Sequence, residues 1–155
     1  MANHIYQKTN LKNPYRPDQD FYTTDFFTDV AIEYMEDNLA VKKKPFFLWV
    51  HFFDPHKPYQ YRPDFEQPEI VEELANLAQH QEARVAYTSE IQFADHNMGK
   101  VLDVLETLGI AERTLTVFTA DHGESLGEHG YLGHRQHVYE NIIYFSGKHG
   151  FTLIT

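Results

Sequence analysis

The chain has 155 residues, room for one sizeable hydrophobic core and little for a second. Its 23 acidic against 13 basic side chains leave a formal net charge of −10, which argues against nucleic acid and against an anionic membrane surface as partners. The 42% hydrophobic and 15% aromatic content excludes a disordered tail, and the absence of cysteine excludes disulfides, thiolate metal sites and cysteine nucleophiles.

Residues 1–20 form a polar N-terminal segment broken by Pro14 and Pro17. No apolar run follows a basic start there, and no later stretch reaches membrane-spanning length, so a soluble chain without a secretory leader is expected. From Thr23 onward, Phe27, Val30, Ala31, Tyr34, Met35 and Leu39 keep helical spacing, with Thr24 or Asp25 able to cap the helix. Three lysines and Pro45 end it. FFLWVHFF, residues 46–53, is a continuous apolar run of strand length, and continuous rather than alternating hydrophobicity predicts a strand buried on both faces, as in a parallel sheet covered by helices.

The proline-rich stretch 54–69 is irregular. A weak helix is expected over Glu69–His80, then a strong one in which Tyr87, Ile91, Ala94, Met98, Val101, Leu102, Leu105 and Leu108 share a face and Gly109 terminates the helix. TLTVFTA, residues 114–120, reads as a second buried strand, followed by the glycine-rich loop DHGESLGEHGYLGH. Helices alternating with buried strands predict an α/β protein whose parallel strands are joined by crossover helices.

In such sheets ligands bind beyond the carboxyl ends of the strands, where loops converge on a rigid frame. Both histidine-bearing segments fall there: His51, Asp54 and His56 in the first, and Asp121, His122, Glu124, Glu128, His129, His134 and His137 in the second. If the strands are parallel and close, His56 and Asp121 emerge on one edge. Asp121-His122 offers a carboxylate and an imidazole to a divalent cation, although an isolated pair of this kind more commonly caps backbone amides in a turn. The crowd of ionisable side chains among four glycines is what favours a site. His56, restrained between prolines, suits anion contact or proton donation to a leaving oxygen; the competing reading is a plain surface loop residue. His51 reads as a core histidine, and His4, His80 and His96 read as solvated.

Three blocks, PFFLWVHFFDPHKPY, TVFTADHGESLGEHG and GHRQHVYE, stand in an order and combination that resemble the sulfatase family of the alkaline-phosphatase-like superfamily, from about Phe21 to Glu140. The resemblance implies a three-layer αβα sandwich with a mainly parallel sheet, here incomplete, and hydrolysis of a sulfate ester by a formylglycine nucleophile beside a cation, usually calcium. It implies Asp121 and His122 as metal ligands. It implies His56 as a group that touches the sulfate and protonates the leaving oxygen, and His134 in the place of a lysine that contacts the bridging oxygen. The expected partner is a sulfated small molecule or sulfated glycan. Members are commonly periplasmic, secreted or lysosomal.

The departures bear on activity. The block that supplies two more aspartates and the motif Cys/Ser-x-Pro-x-Arg has no counterpart here: there is no cysteine, and Ser89, Ser125 and Ser146 all lack the Pro-x-Arg context. The chain therefore divides into the N-terminal segment 1–20, a partial sulfatase-like catalytic domain over 21–140, and a divergent or truncated tail over 141–155, in which Lys148 is not taken as a site residue. Three readings follow: a partial sulfatase domain without turnover of its own, a phosphate or phosphonate ester hydrolase of the same superfamily, and a noncatalytic metal-binding fragment.

Overall fold

In the computed structural model the described residues are 24–40, 44–65, 80–135, 137, 139 and 141, with the backbone of 152–154. Two helices dominate them. Helix α1 covers Thr24–Leu39, and the 27-residue α2 covers Gln81–Thr107. At about 1.5 Å per residue, α2 is about 40 Å long, enough to serve two neighbours along its length.

The C-terminal half of α2 packs against α1: Met35 meets Val104 and Leu105, and Ile32, Leu39, Leu48, Val101, Leu102, Leu108 and Ile110 close around them. The N-terminal half instead carries the proline-rich segment. Phe65 sits edge-on to Phe93, Tyr59 edge-on to Tyr87, and the Arg62 guanidinium lies 4.3 Å over the Phe93 ring. The buried Ser89 hydroxyl accepts the Arg62 amide at 2.9 Å and donates to the Ala86 carbonyl.

Gly109 ends α2 as its position in the sequence predicts. With φ at 64° it lets its own amide reach the Glu106 carbonyl and the Ile110 amide reach Leu105, closing the last turn in the Schellman pattern. The start of α1 departs from the local cap: the Thr24 amide donates to Asp54 Oδ2 at 2.9 Å, a partner 30 residues away. The buried face of α1 is also rotated from the expected stripe and runs through Thr24, Thr28, Ala31 and Met35, with the Thr24 and Thr28 hydroxyls enclosed.

Of the two predicted strands, only the second contains a paired strand among the described residues, while 46–53 is extended without a strand partner there, and both segments are exposed on one face. Along 47–53 the odd-numbered residues are exposed and the even-numbered ones half-buried: Phe47 is 87% and Trp49 71% exposed, whereas Leu48 packs on the core. His51 falls on the exposed side, so it is not a core histidine. An apolar run records that a segment can be covered twice; coverage itself depends on the neighbours, and among the described residues only one face of this segment has them. The same alternation runs along 114–120, within which β1, Thr116–Phe118, pairs antiparallel with β2, Thr152–Ile154, in the register Val117 opposite Leu153. This antiparallel pair is the sheet present among the described residues. No helix among them is long and apolar enough to cross a membrane. Segment 1–20, nearly all of the helix expected over 69–80, and most of 141–155 lie outside the described residues.

Candidate active site

The segment after residue 53 leaves the core through Asp54, which bridges α1 and Arg62; Arg62 Nη2 lies 3.8 Å from Asp54 and 3.9 Å from the buried Glu90. Both X-Pro bonds flanking His56, Asp54-Pro55 and Lys57-Pro58, are cis. His56 Nδ1 lies 2.7 Å from the Lys57 carbonyl oxygen. A carbonyl only accepts, so Nδ1 carries the proton, and any acid or base chemistry at this ring belongs to Nε2.

The glycine-rich loop doubles back on itself. Leu126 and Leu132 form an antiparallel bridge, the Gly133 amide donates to the Ser125 carbonyl at 2.9 Å, and the Ser125 hydroxyl donates to the Tyr131 carbonyl. This closure sets Glu124 and His134, ten residues apart in sequence, side by side, with His134 Nδ1 3.3 Å from both carboxylate oxygens. Glu128 ties the loop from within, since its Oε2 accepts the Leu126 amide at 2.7 Å and an Asn141 amide proton at 3.1 Å while Arg84 stands 3.9 Å from Oε1. Burial alone would raise the Glu128 pKa, but the hydrogen bonds from its own and the Leu126 amide, together with Arg84, outweigh it and hold the carboxyl below its ordinary value. At Gly127 a Cβ would stand 2.8 Å from the His80 ring, so the loop seats on the start of α2 only with glycine there.

The two histidine segments meet. The His134 ring lies 3.9 Å from that of His122 and 6.0 Å from that of His56, centroid to centroid. His122 Nδ1 is held by the Gly123 carbonyl at 2.7 Å. All three imidazoles thus have Nδ1 engaged, two by carbonyls and one by a carboxylate, and His122 Nε2 lies 3.8 Å from Asp121 Oδ2. Asp121 stands at the rim with its side chain 83% exposed, accepting the His122 amide at 3.0 Å, the turn-capping geometry that such a pair commonly adopts. His129 and His137 lie apart from this group, among Tyr131 and Tyr139.

Three neighbours of the imidazoles were not singled out by sequence. Lys57 Nζ, the Tyr131 hydroxyl and Glu124 Oε1 stand 3.0, 3.6 and 3.8 Å from where a Gly133 Cβ would be. Tyr59 and Tyr87 enclose Glu124: burial first, then the carboxylate beside it, raises the Tyr59 phenol well above its ordinary value and pushes Tyr87 up to about 12. The Tyr59 hydroxyl is buried and makes no well-formed hydrogen bond among the described residues. The crowded acidic and imidazole loop pointed to Glu124; for the tyrosines no sequence signal existed.

The sulfatase sequence profile matches residues 1–148. The chain belongs to the sulfatase family. That membership places it among α/β proteins, consistent with helices and a short sheet in one chain. It is 37% identical over 98 residues to a low-salt glycan biosynthesis sulfotransferase of Haloferax volcanii, covering 63% of this chain and 24% of that protein. It is 26% identical over 143 residues to human iduronate 2-sulfatase, covering 66% and 26%, and 26% identical over 161 residues to a multifunctional alkaline phosphatase superfamily protein of Trinickia caryophylli, covering 77% and 31%. The chain thus spans about a quarter to a third of the length of these relatives.

Whether these residues fit a cation is a matter of donors. Calcium takes about six to eight oxygen ligands, and around the sulfatase-like Asp121-His122 pair the described residues supply one carboxylate and no group of three or more His, Asp or Glu side chains placed to hold a metal. On their own they do not fit it.

Proposed function

We propose that this sulfatase-family chain carries the leaving-group side of a sulfate-ester hydrolase site, with His56 and His134 as the groups that contact the ester. The observation that supports this best is the convergence of the two rings from segments nearly 80 positions apart, each with Nδ1 engaged and Nε2 left for a ligand. As the S–O bond breaks, negative charge moves onto the leaving oxygen. His56 as imidazolium gives that oxygen the proton on Nε2, while His134, also as imidazolium with its Nδ1 proton held by Glu124, donates from Nε2 and offsets the charge. The substrate class proposed is a sulfated small molecule or glycan, which the iduronate 2-sulfatase and glycan-biosynthesis relatives favour at family level.

Asp121 and His122 are proposed as two donors to a divalent cation, calcium by family, whose remaining ligands lie beyond the described residues; no step of the chemistry above depends on it. The fold proposed is the three-layer αβα sandwich, with 46–53 and 114–120 as strands of its sheet. Because the chain has no cysteine and none of its three serines precedes Pro-x-Arg, it is expected not to turn over substrate alone. The test is incubation with an aryl sulfate with and without calcium, beside calorimetric titration with inorganic sulfate. Sulfate binding lost in His56→Ala and His134→Ala, with no turnover, is the expected result; robust calcium-dependent hydrolysis overturns the inactivity, and no sulfate binding overturns the site. The Trinickia caryophylli relative keeps phosphate or phosphonate ester hydrolysis as a second reading, favoured if phosphate displaces sulfate at lower concentration. Calcium binding abolished by Asp121→Ala tests the cation donors.

A further inference from the structure

The three imidazoles are not anchored alike. His56 and His122 rest on backbone carbonyls of the residues that follow them, contacts set by local chain geometry. His134 is held instead by a side chain, Glu124, and that side chain is costly to place: its carboxylate is 5% exposed, and next to it stand Tyr59 and Tyr87, whose phenols burial first and then its charge make harder to ionise. A carboxylate is taken out of water only where partners compensate for lost hydration. The loop closure through Ser125 and Gly133 delivers Glu124 to one ring nitrogen of His134 with both oxygens at 3.3 Å.

From this we infer that Glu124 is a positioning residue: it holds the Nδ1 proton of His134 and aims the ring so that Nε2, which donates to an anion when the ring is imidazolium, faces the space shared with His56. The inference rests on the sulfatase reading for what His134 does there, but the brace itself is a property of the two side chains. A carboxylate behind an imidazole restricts both rotation and tautomer, and loss of such a partner in other sites costs about 10-fold to 100-fold in ligand affinity or activity. Tyr59 and Tyr87 serve this arrangement by screening the carboxylate from solvent.

The experiment is nitrogen NMR of the His134 ring in the full chain, which distinguishes the two neutral tautomers, with calorimetric titration of inorganic sulfate on the same samples. At a pH where the ring is neutral, the wild-type His134 is expected as the Nδ1–H tautomer. Glu124→Gln keeps an acceptor oxygen at the same reach and preserves it. Glu124→Asp, one methylene shorter, and Glu124→Ala lose it and weaken sulfate binding about 10-fold, with no further loss when His134→Ala is added. If Glu124→Ala does not fold, as judged by circular dichroism, the contrast between Gln and Asp carries the test. An unchanged tautomer in the Asp and Ala variants overturns the inference, as does a Gln variant as impaired as Ala. Tautomers that shift as expected in a chain whose wild type binds no sulfate leave the brace standing and remove the sulfatase reading of the site; the opposite pattern removes the brace alone.

Discussion

Asp54 joins three parts of the molecule, so its removal should show whether the site's framework is built as described. Its Oδ2 accepts the first amide of α1 at 2.9 Å and lies 3.8 Å from Arg62, and two residues later the chain reaches His56. A hydrogen bond to an ionised acceptor contributes about 1.5–3 kcal/mol. The ion pair is long and partly relieved, because Glu90 stands 3.9 Å from the same Arg62 nitrogen, so its loss adds about 0–1 kcal/mol. Asp54→Ala is therefore expected to cost about 1.5–4 kcal/mol in total, whereas Asp54→Asn, which keeps a carbonyl acceptor and loses only the charge, should cost about 1 kcal/mol. Urea denaturation followed by helix circular dichroism gives both values from the shift in midpoint at constant slope. The sulfate affinity of the Ala variant should fall in parallel, since His56 is then tethered to a loosened segment. A cost below about 0.5 kcal/mol for Ala, or equal costs for Ala and Asn, refutes the idea that a distant carboxylate caps α1 and anchors the His56 segment.

Three further perturbations test other joints. Gly133 has φ at 110° with Lys57 Nζ 3.0 Å from its absent Cβ, so Gly133→Ala should destabilise by about 1–3 kcal/mol and weaken sulfate binding; a neutral result in denaturant melts contradicts the close approach. The Tyr87 phenol, raised to about 12 from 10.0, contributes stability that is complete below pH 10 and lost as pH rises through 12, because the unfolded chain releases its proton first. Tyr87→Phe should flatten the alkaline unfolding profile over that window, and an unaltered profile counts against the buried placement. The Glu128 carboxyl, held below its ordinary 4.5, contributes stability present above that value and lost as pH falls through the lower folded value, so Glu128→Gln should blunt acid unfolding followed by circular dichroism.

Legibility in the sequence divided along the line between local and distant causes. The two long helices could be read because their apolar spacing is a local property, and the Gly109 stop because a left-handed position favours glycine within a few residues of context. The burial of Thr24 and Thr28 on α1 could not be read, since it depends on what packs against the helix, such as Asp54 at Thr24, 30 residues away in sequence. Runs 46–53 and 114–120 carried the right composition for strands buried on both faces, but burial belongs to the neighbours, and His51 went to the exposed side for the same reason. In the site, the imidazole-rich loop stood out by composition, whereas the meeting of Glu124 with His134 depends on a loop closing between Ser125 and Gly133. The enclosure of Glu124 by Tyr59 and Tyr87 had no signature, because two tyrosines 28 positions apart announce nothing until a helix and a proline-rich segment are packed together.

Trp49, the single tryptophan of the chain, is 71% exposed on the uncovered side of residues 46–53. Its indole should emit as an indole in water does, at the red end of its range and open to collisional quenchers such as iodide or acrylamide. That makes the chain its own optical gauge. Anything that comes to lie over Phe47 and Trp49, whether more polypeptide, another molecule or a detergent, will move the emission to the blue and shield it from quencher, with no label attached.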